Sequence, residues 1–164
     1  MSGEAISSSI LLIGAAIGAA FLIVAILPAI FSAGDTFGTV ASSAESKMKT
    51  DFRIVNSYAH LNSDPKIDYI QVWMKNVGAS QISVYDVAKS DVFFGTSSSI
   101  IHYTNTTSPK FQYYVSSSNN YWNIGETLEI KIDLSPTLDQ GSVLSYTFTL
   151  PNSVRRSTSF SANI

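Results

Sequence analysis

The chain has 164 residues, no cysteine, a net charge of −2 and a charged fraction of 13%. The missing cysteines exclude disulfides, thiolate metal sites and cysteine nucleophiles together. Scattered charges of both signs leave no basic stripe to neutralise phosphates, so no nucleic-acid partner is expected.

The first element is the apolar run "SILLIGAAIGAAFLIVAILPAIF", residues 9–31, which contains no charge. A helix from Ile10 to Phe31 rises about 33 Å at 1.5 Å per residue, close to the thickness of a bilayer hydrocarbon core. A secretory signal would need a basic start and a shorter apolar region. Here "MSGEAISSS" carries Glu4 and no Lys or Arg. The reading is an uncleaved transmembrane helix, although "FSAGD" is small enough to serve as a cleavage site. Within the run Gly14 and Gly18 form G-x-x-x-G, extended by Ala15, Ala16, Ala19 and Ala20. Such small residues let membrane helices approach closely, so helix packing is expected there, alongside the plain fact that Gly and Ala are common in membrane helices.

Residues 1–34 are therefore read as tail and membrane helix, 35–50 as a linker or helix extension, and 51–164 as one β domain. Asp51–Leu61 is the first β-patterned run. Ile67–Asn76, apolar on both faces, is placed as a central strand. Gln81–Val87, Ser90–Gly95, Ser99–Tyr103 and Lys110–Val115 follow. In Glu126–Leu134 the residues Leu128, Ile130, Ile132 and Leu134 alternate with charges, one face buried and one wet. "SPTLDQG" reads as a loop, Ser142–Leu150 as a strand, and "TSFSANI" as a last strand. Eight or nine short strands with no amphipathic helix between them predict a mainly β fold, an antiparallel immunoglobulin-like β-sandwich preceded by one N-terminal transmembrane α-helix. A closed barrel is the structural alternative.

Catalytic patterns are missing. His60 and His102 stand in separate runs outside any His/Asp/Glu cluster, so no metal site is expected. There is no G-x-S-x-G or S-x-x-K, and the single glycines of "NVGAS" and "NIGET" lack phosphate-binding spacing. Asp86 and Asp91 frame "DVAKSD" without the ligand spacing of a calcium loop. No enzyme activity, cofactor or small-molecule substrate is expected. "NTT" makes Asn105 a candidate N-glycosylation site, and a glycan there would place the domain outside the cell. Lys47, Lys49 and Arg53 after the apolar run argue the reverse, although they lie at the limit of the positive-inside rule.

A resemblance follows from these residues. One pilin-like hydrophobic helix and a single sandwich form the layout of archaellin-related and type IV pilin-like proteins. "VWMKNVGASQI", "SDVFFG" and "YWNIGETLEIKI", in that order, resemble the archaellum accessory family FlaG (ArlG), with its sister FlaF (ArlF) as near neighbour. The motif residues Trp73, Asn76, Gly78, Asp91, Phe94, Gly95, Trp122, Gly125 and Glu126 are expected to be structural. The glycines turn the chain, while Trp73, Phe94 and Trp122 offer core or interface area.

The resemblance implies a non-enzymatic stator component of the archaellum motor, anchored in the cytoplasmic membrane with its domain in the pseudo-periplasm. Self-association into filament-like assemblies, a FlaF-type partner and S-layer protein are its implied contacts, serving swimming motility. The absence of a basic leader in "MSGEAISSSI" argues against processing by the pilin peptidase. Two alternatives remain: an archaellin or adhesive pilus subunit, and an exported carbohydrate-binding sandwich using Tyr113, Tyr114, Tyr121 or Trp122.

Overall fold

The computed structural model describes residues 2–161. The chain divides into two compact units, Met1–Ala44 and Glu45–Ile164.

The first unit is helix throughout its described length. Helix α1 runs from Ser2 to Lys49, so the segment left open as linker or helix extension is helical through Lys49, whose last turn belongs to the second unit. It is long and apolar enough to cross a membrane. Large apolar side chains such as Leu11, Phe21, Leu22, Val24 and Phe31 lie exposed around it, as expected of a segment whose solvent is lipid. Pro28 is accommodated within the helix. Gly14 and Gly18 have open space where a Cβ would stand.

The second unit is a sandwich of two four-stranded antiparallel sheets. Its strands are β1 (Phe52–Leu61), β2 (Lys66–Asn76), β3 (Ile82–Ser83), β4 (Asp91–Thr96), β5 (Ile100–Tyr103), β6 (Phe111–Val115), β7 (Tyr121–Trp122), β8 (Thr127–Asp139), β9 (Val143–Thr149) and β10 (Arg155–Ser161). One sheet has the order β1-β2-β8-β6 and the other β10-β9-β4-β5, while β3 and β7 form a small separate ladder. Alternation builds the core. Ile70, Val72 and Met74 from β2 and Leu128, Ile130 and Ile132 from β8 face Val92, Phe94, Leu144, Tyr146 and Phe148 of the second sheet, all buried.

Three expectations need correction. The run Gln81–Val87 is not one strand: Ile82–Ser83 pairs with β7, and Val84–Ala88 forms a short helix, α2. Ser83 caps it, its hydroxyl accepting from the Tyr85 N–H at 3.2 Å, with Asp86 in the first turn. The signal was S-x-x-D, a helix start that outweighs the local β pattern. The loop expected at "SPTLDQG" is largely strand, because β8 continues to Asp139. Pro136 is tolerated there since the ladder with β2 slips between Asp133 and Leu138, where no backbone donor is required. Finally, "TSFSANI" starts late: β10 begins at Arg155, while residues 162–164 lie outside the described residues.

Candidate functional site

The motif residues fall into two groups, and the larger one forms a junction at one end of the sandwich. Its centre is Asn76. Because side chains alternate along a strand, Asn76 follows Ile70, Val72 and Met74 onto the buried face of β2, where it is fully buried. A polar side chain in that position must be satisfied internally. Its Nδ2 donates to the carbonyl oxygens of Trp122 and Ser80, both at 3.0 Å, and its Oδ1 accepts the Gly78 N–H at 3.0 Å. Its backbone completes the set, donating to the Glu126 carbonyl at 3.0 Å and accepting from the Gly125 N–H at 2.8 Å.

The neighbouring loop then captures the chain where the helix ends. Val77 and Gly78 both donate to the Asp51 carbonyl, at 3.0 and 2.9 Å, while Ala79 and Ser80 donate to the Lys49 carbonyl at 2.8 and 3.2 Å. The last carbonyls of a helix lack intrahelical donors, and here the domain supplies them. Gly78 is required by contact: a Cβ would lie 2.5 Å from the Asp51 nitrogen and 2.6 Å from the Lys49 oxygen. Trp122 is buried beside Phe52 (centroids 5.8 Å apart) and donates its indole N–H to the Glu126 carbonyl at 2.9 Å. The Glu126 carboxylate accepts the Asn123 N–H at 3.0 Å, closing a turn in which Gly125 has φ +81°. Sequence fragments 46 residues apart thus meet through one asparagine.

The second group is elsewhere. Phe94 is buried in the core of the other sheet. Gly95 lies under the β4–β5 hairpin, where a Cβ would sit 1.9 Å from the Ser99 carbonyl oxygen. The Asp91 carboxylate meets His102 Nε2 at 2.6 Å, and the Phe93 ring stacks on that imidazole at 4.8 Å. His60 is placed similarly on the first sheet, with Nδ1 2.7 Å from Asp68 and its ring stacked on Tyr69 at 4.4 Å. That hydrogen bond holds the Asp68 carboxyl below the usual carboxylate range. The two histidines are in different sheets, each with a single carboxylate.

Trp73 is not a core residue. It lies half-buried on the outer face of β2 and donates its indole N–H to Glu129 at 3.2 Å, next to Gln71, which donates to the same carboxylate at 2.7 Å. The sequence read β2 as apolar on both faces, and the register shows one face buried and the other aromatic and polar. Nor do the four aromatics considered for carbohydrate form a platform. Trp122 is buried, Tyr121 belongs to the small β3–β7 ladder, and Tyr113 and Tyr114 lie on β6. Asn105, the sequon residue, is half-buried, its Nδ2 donating to the Phe111 carbonyl at 3.1 Å.

The chain is thus a long apolar helix followed by an antiparallel sandwich, one end of which is held together by motif residues. The family model described as archaeal-type flagellin matches residues 2–160, and the chain belongs to that archaellum-related family. An uncharacterized protein of Archaeoglobus fulgidus is 30% identical, the match covering 98% of this chain and 99% of that one. Among solved structures, the archaellum periplasmic stator protein FlaG from Sulfolobus acidocaldarius is 24% identical with a TM-score of 0.53, covering 68% of this chain and 99% of that chain. The stator complex of FlaF and FlaG from the same organism matches at 22% identity and a TM-score of 0.54, over 66% of this chain and 87% of that one. The archaeal flagellum of Methanospirillum hungatei is similar over 96% of this chain and 93% of that one, with 13% identity and a TM-score of 0.71. These neighbours are structural components of the archaellum and share this fold.

Proposed function

We propose that this protein is a FlaG-type, non-enzymatic stator component of the archaellum, anchored in the cytoplasmic membrane by residues 10–31 with its sandwich outside. The observation that carries this reading is the junction around Asn76. A static part must transmit force between an anchor and an adhesive domain, and one of the three FlaG-like motifs bonds the carbonyls of Lys49 and Asp51, where α1 ends and β1 begins, while a second holds that motif's Asn76 in place. Identity points the same way, at 24% and 22% for the two FlaG-containing structures against 13% for the filament.

A domain with this role needs adhesive contacts, and we assign it self-association and a FlaF-type partner leading to the S-layer. Gly14 and Gly18 offer a packing face to a second helix in the membrane. A filament subunit is the second reading, favoured by the match to the M. hungatei flagellum along nearly the whole chain. The test is binding by the full chain in detergent to itself and to a FlaF-type protein, followed by size-exclusion chromatography with light scattering. Self-assembly or a stable heteromeric complex is expected; a chain that remains monomeric and ignores the partner overturns the stator reading.

A further inference from the structure

Trp73 is the one motif tryptophan that the junction leaves unused, and the face it stands on is of unusual make-up. Alternation turns Tyr69 and Trp73 of β2 outward, and the register sets them in one surface with Tyr58 and His60 of β1 and Tyr114 of β6. Tyr58 is 47% exposed and Tyr114 66%. The outer face of the other sheet is built mainly from small hydroxyl side chains, as in the pairs Ser157–Thr147 and Ser159–Ser145. Singly exposed aromatics need no explanation, but five gathered on one solvated face do. The charges on this face divide into held and unheld. Glu129 accepts from Trp73 and Gln71, Asp133 meets Lys131 at 3.3 Å, and Asp68 meets His60 at 2.7 Å. Arg53 and Lys75 have no such partner. They stand directly opposite each other in the β1–β2 ladder, in the row next to Trp73, both exposed and neither in an ion pair among the described residues. Like charges directly opposite destabilise a sheet, and a bound anion would relieve them.

We propose that this outer face binds a short stretch of acidic oligosaccharide, with Trp73 and Tyr114 under the sugar rings and Arg53 and Lys75 on a carboxylate or sulfate group. The proposal goes beyond the structural role above and depends on neither reading of it. A pyranose offers an apolar C–H side and a rim of hydroxyls, which suits aromatic rings flanked by planar polar groups. Gln112 and Glu129 supply such groups in an open cleft of 260 Å³ that Tyr113, Tyr114 and Lys131 also line. Size argues for a small ligand. With strands about 4.8 Å apart and same-face residues about 6.8 Å apart, four strands and three rows make a surface about 14 Å on a side, roughly 200 Å². A stable protein partner would need about 800 Å². Single-stranded nucleic acid also stacks on aromatic rings, but here the carboxylates Glu129 and Asp133 lie between the rings and repel a run of phosphates, which two cations do not offset. The set differs from the aromatics singled out in the sequence, because only the β2 register brings Trp73 to the same face as Tyr114.

The test titrates the full chain, in a detergent without a sugar headgroup, with tri-galacturonate, a chondroitin sulfate tetrasaccharide and maltotriose. Of the two tryptophans Trp122 is fully buried, so protection from acrylamide quenching reads Trp73. The proposal expects an acidic oligosaccharide to protect Trp73 and to bind about tenfold or more tighter than maltotriose, the worth of one charge-assisted hydrogen bond. The double variant R53Q/K75Q should lose that preference while its melting temperature is kept or raised, since the like-charge pair is gone. Y114A, at an exposed side chain, should weaken binding of every sugar and leave the fold intact. Failure of both acidic oligosaccharides to protect Trp73, equal affinity for maltotriose, a double variant that keeps the preference, or undiminished binding by Y114A overturns the proposal. Tighter binding of oligothymidylate than of either acidic sugar overturns it in favour of a nucleic-acid face. All these results leave the archaellum role standing, since that role is read from assembly and not from sugar binding.

Discussion

Replacing Asn76 with alanine tests the junction at its most connected point. The substitution removes two donated bonds, to Trp122 and Ser80, and one accepted from Gly78. At about 1 kcal/mol net for each neutral hydrogen bond, the loss is about 3 kcal/mol. The Gly78 N–H keeps its bond to Asp51, so the damage falls mainly on the two carbonyls, of which that of Trp122 is the buried one. A loss of this size lowers the folded-to-unfolded ratio by roughly 100-fold. In a domain of this length it lowers the melting temperature by on the order of 10 °C. Urea unfolding of the full chain in detergent, followed by the β-sheet circular dichroism signal and tryptophan fluorescence, reads it as a lower midpoint at unchanged slope. Asn76→Asp should fare worse, since it keeps the acceptor but turns a buried donor into a carboxylate facing two carbonyls. A change below about 0.5 kcal/mol for Asn76→Ala, the range of ordinary surface substitutions, would refute the view that this side chain ties the motifs together.

Two further substitutions probe other parts of the domain. Gly95→Ala forces the β4–β5 hairpin off Gly95, because the new methyl would meet the Ser99 carbonyl at 1.9 Å; a destabilisation of about 2 kcal/mol or more is expected in the same unfolding assay, whereas Gly3→Ala, with open space around it, should be silent. The bond from His60 keeps the folded-state pKa of Asp68 below its unfolded value, so its stabilisation is present above the ordinary carboxylate range and is lost as pH falls through the lowered value. In His60→Ala, carboxyl-resolved NMR titration should find Asp68 moved up toward its ordinary value; an unmoved titration would assign the shift elsewhere.

The sequence was most legible where one periodicity dominated. The apolar run from Ile10 to Phe31 reads as one long apolar helix, and Leu128 to Leu134 as a strand with one wet face. What escaped was set by contacts across the fold. Asn76 looked like one letter of a motif, and its burial follows from the alternation Ile70, Val72, Met74, but its partners at Trp122 and Glu126 are long-range. Trp73 and Trp122 look equivalent in sequence, and register alone puts one on the outer face and the other in the core. The helix after Ser83 was readable from its capping pattern, while the strand through Pro136 became readable only once the slip in the β2–β8 ladder was known.

A stator component stays in the membrane as an anchor and does not leave it as filament. Archaellated cells can be sheared, and filaments, membranes and soluble material separated and quantified for this chain by mass spectrometry. The stator reading predicts that the chain is retained in membranes after alkaline extraction and is absent from sheared filaments. Recovery of most of the protein in the filaments, in stoichiometric amounts along their length, would contradict it and establish the filament-subunit reading instead.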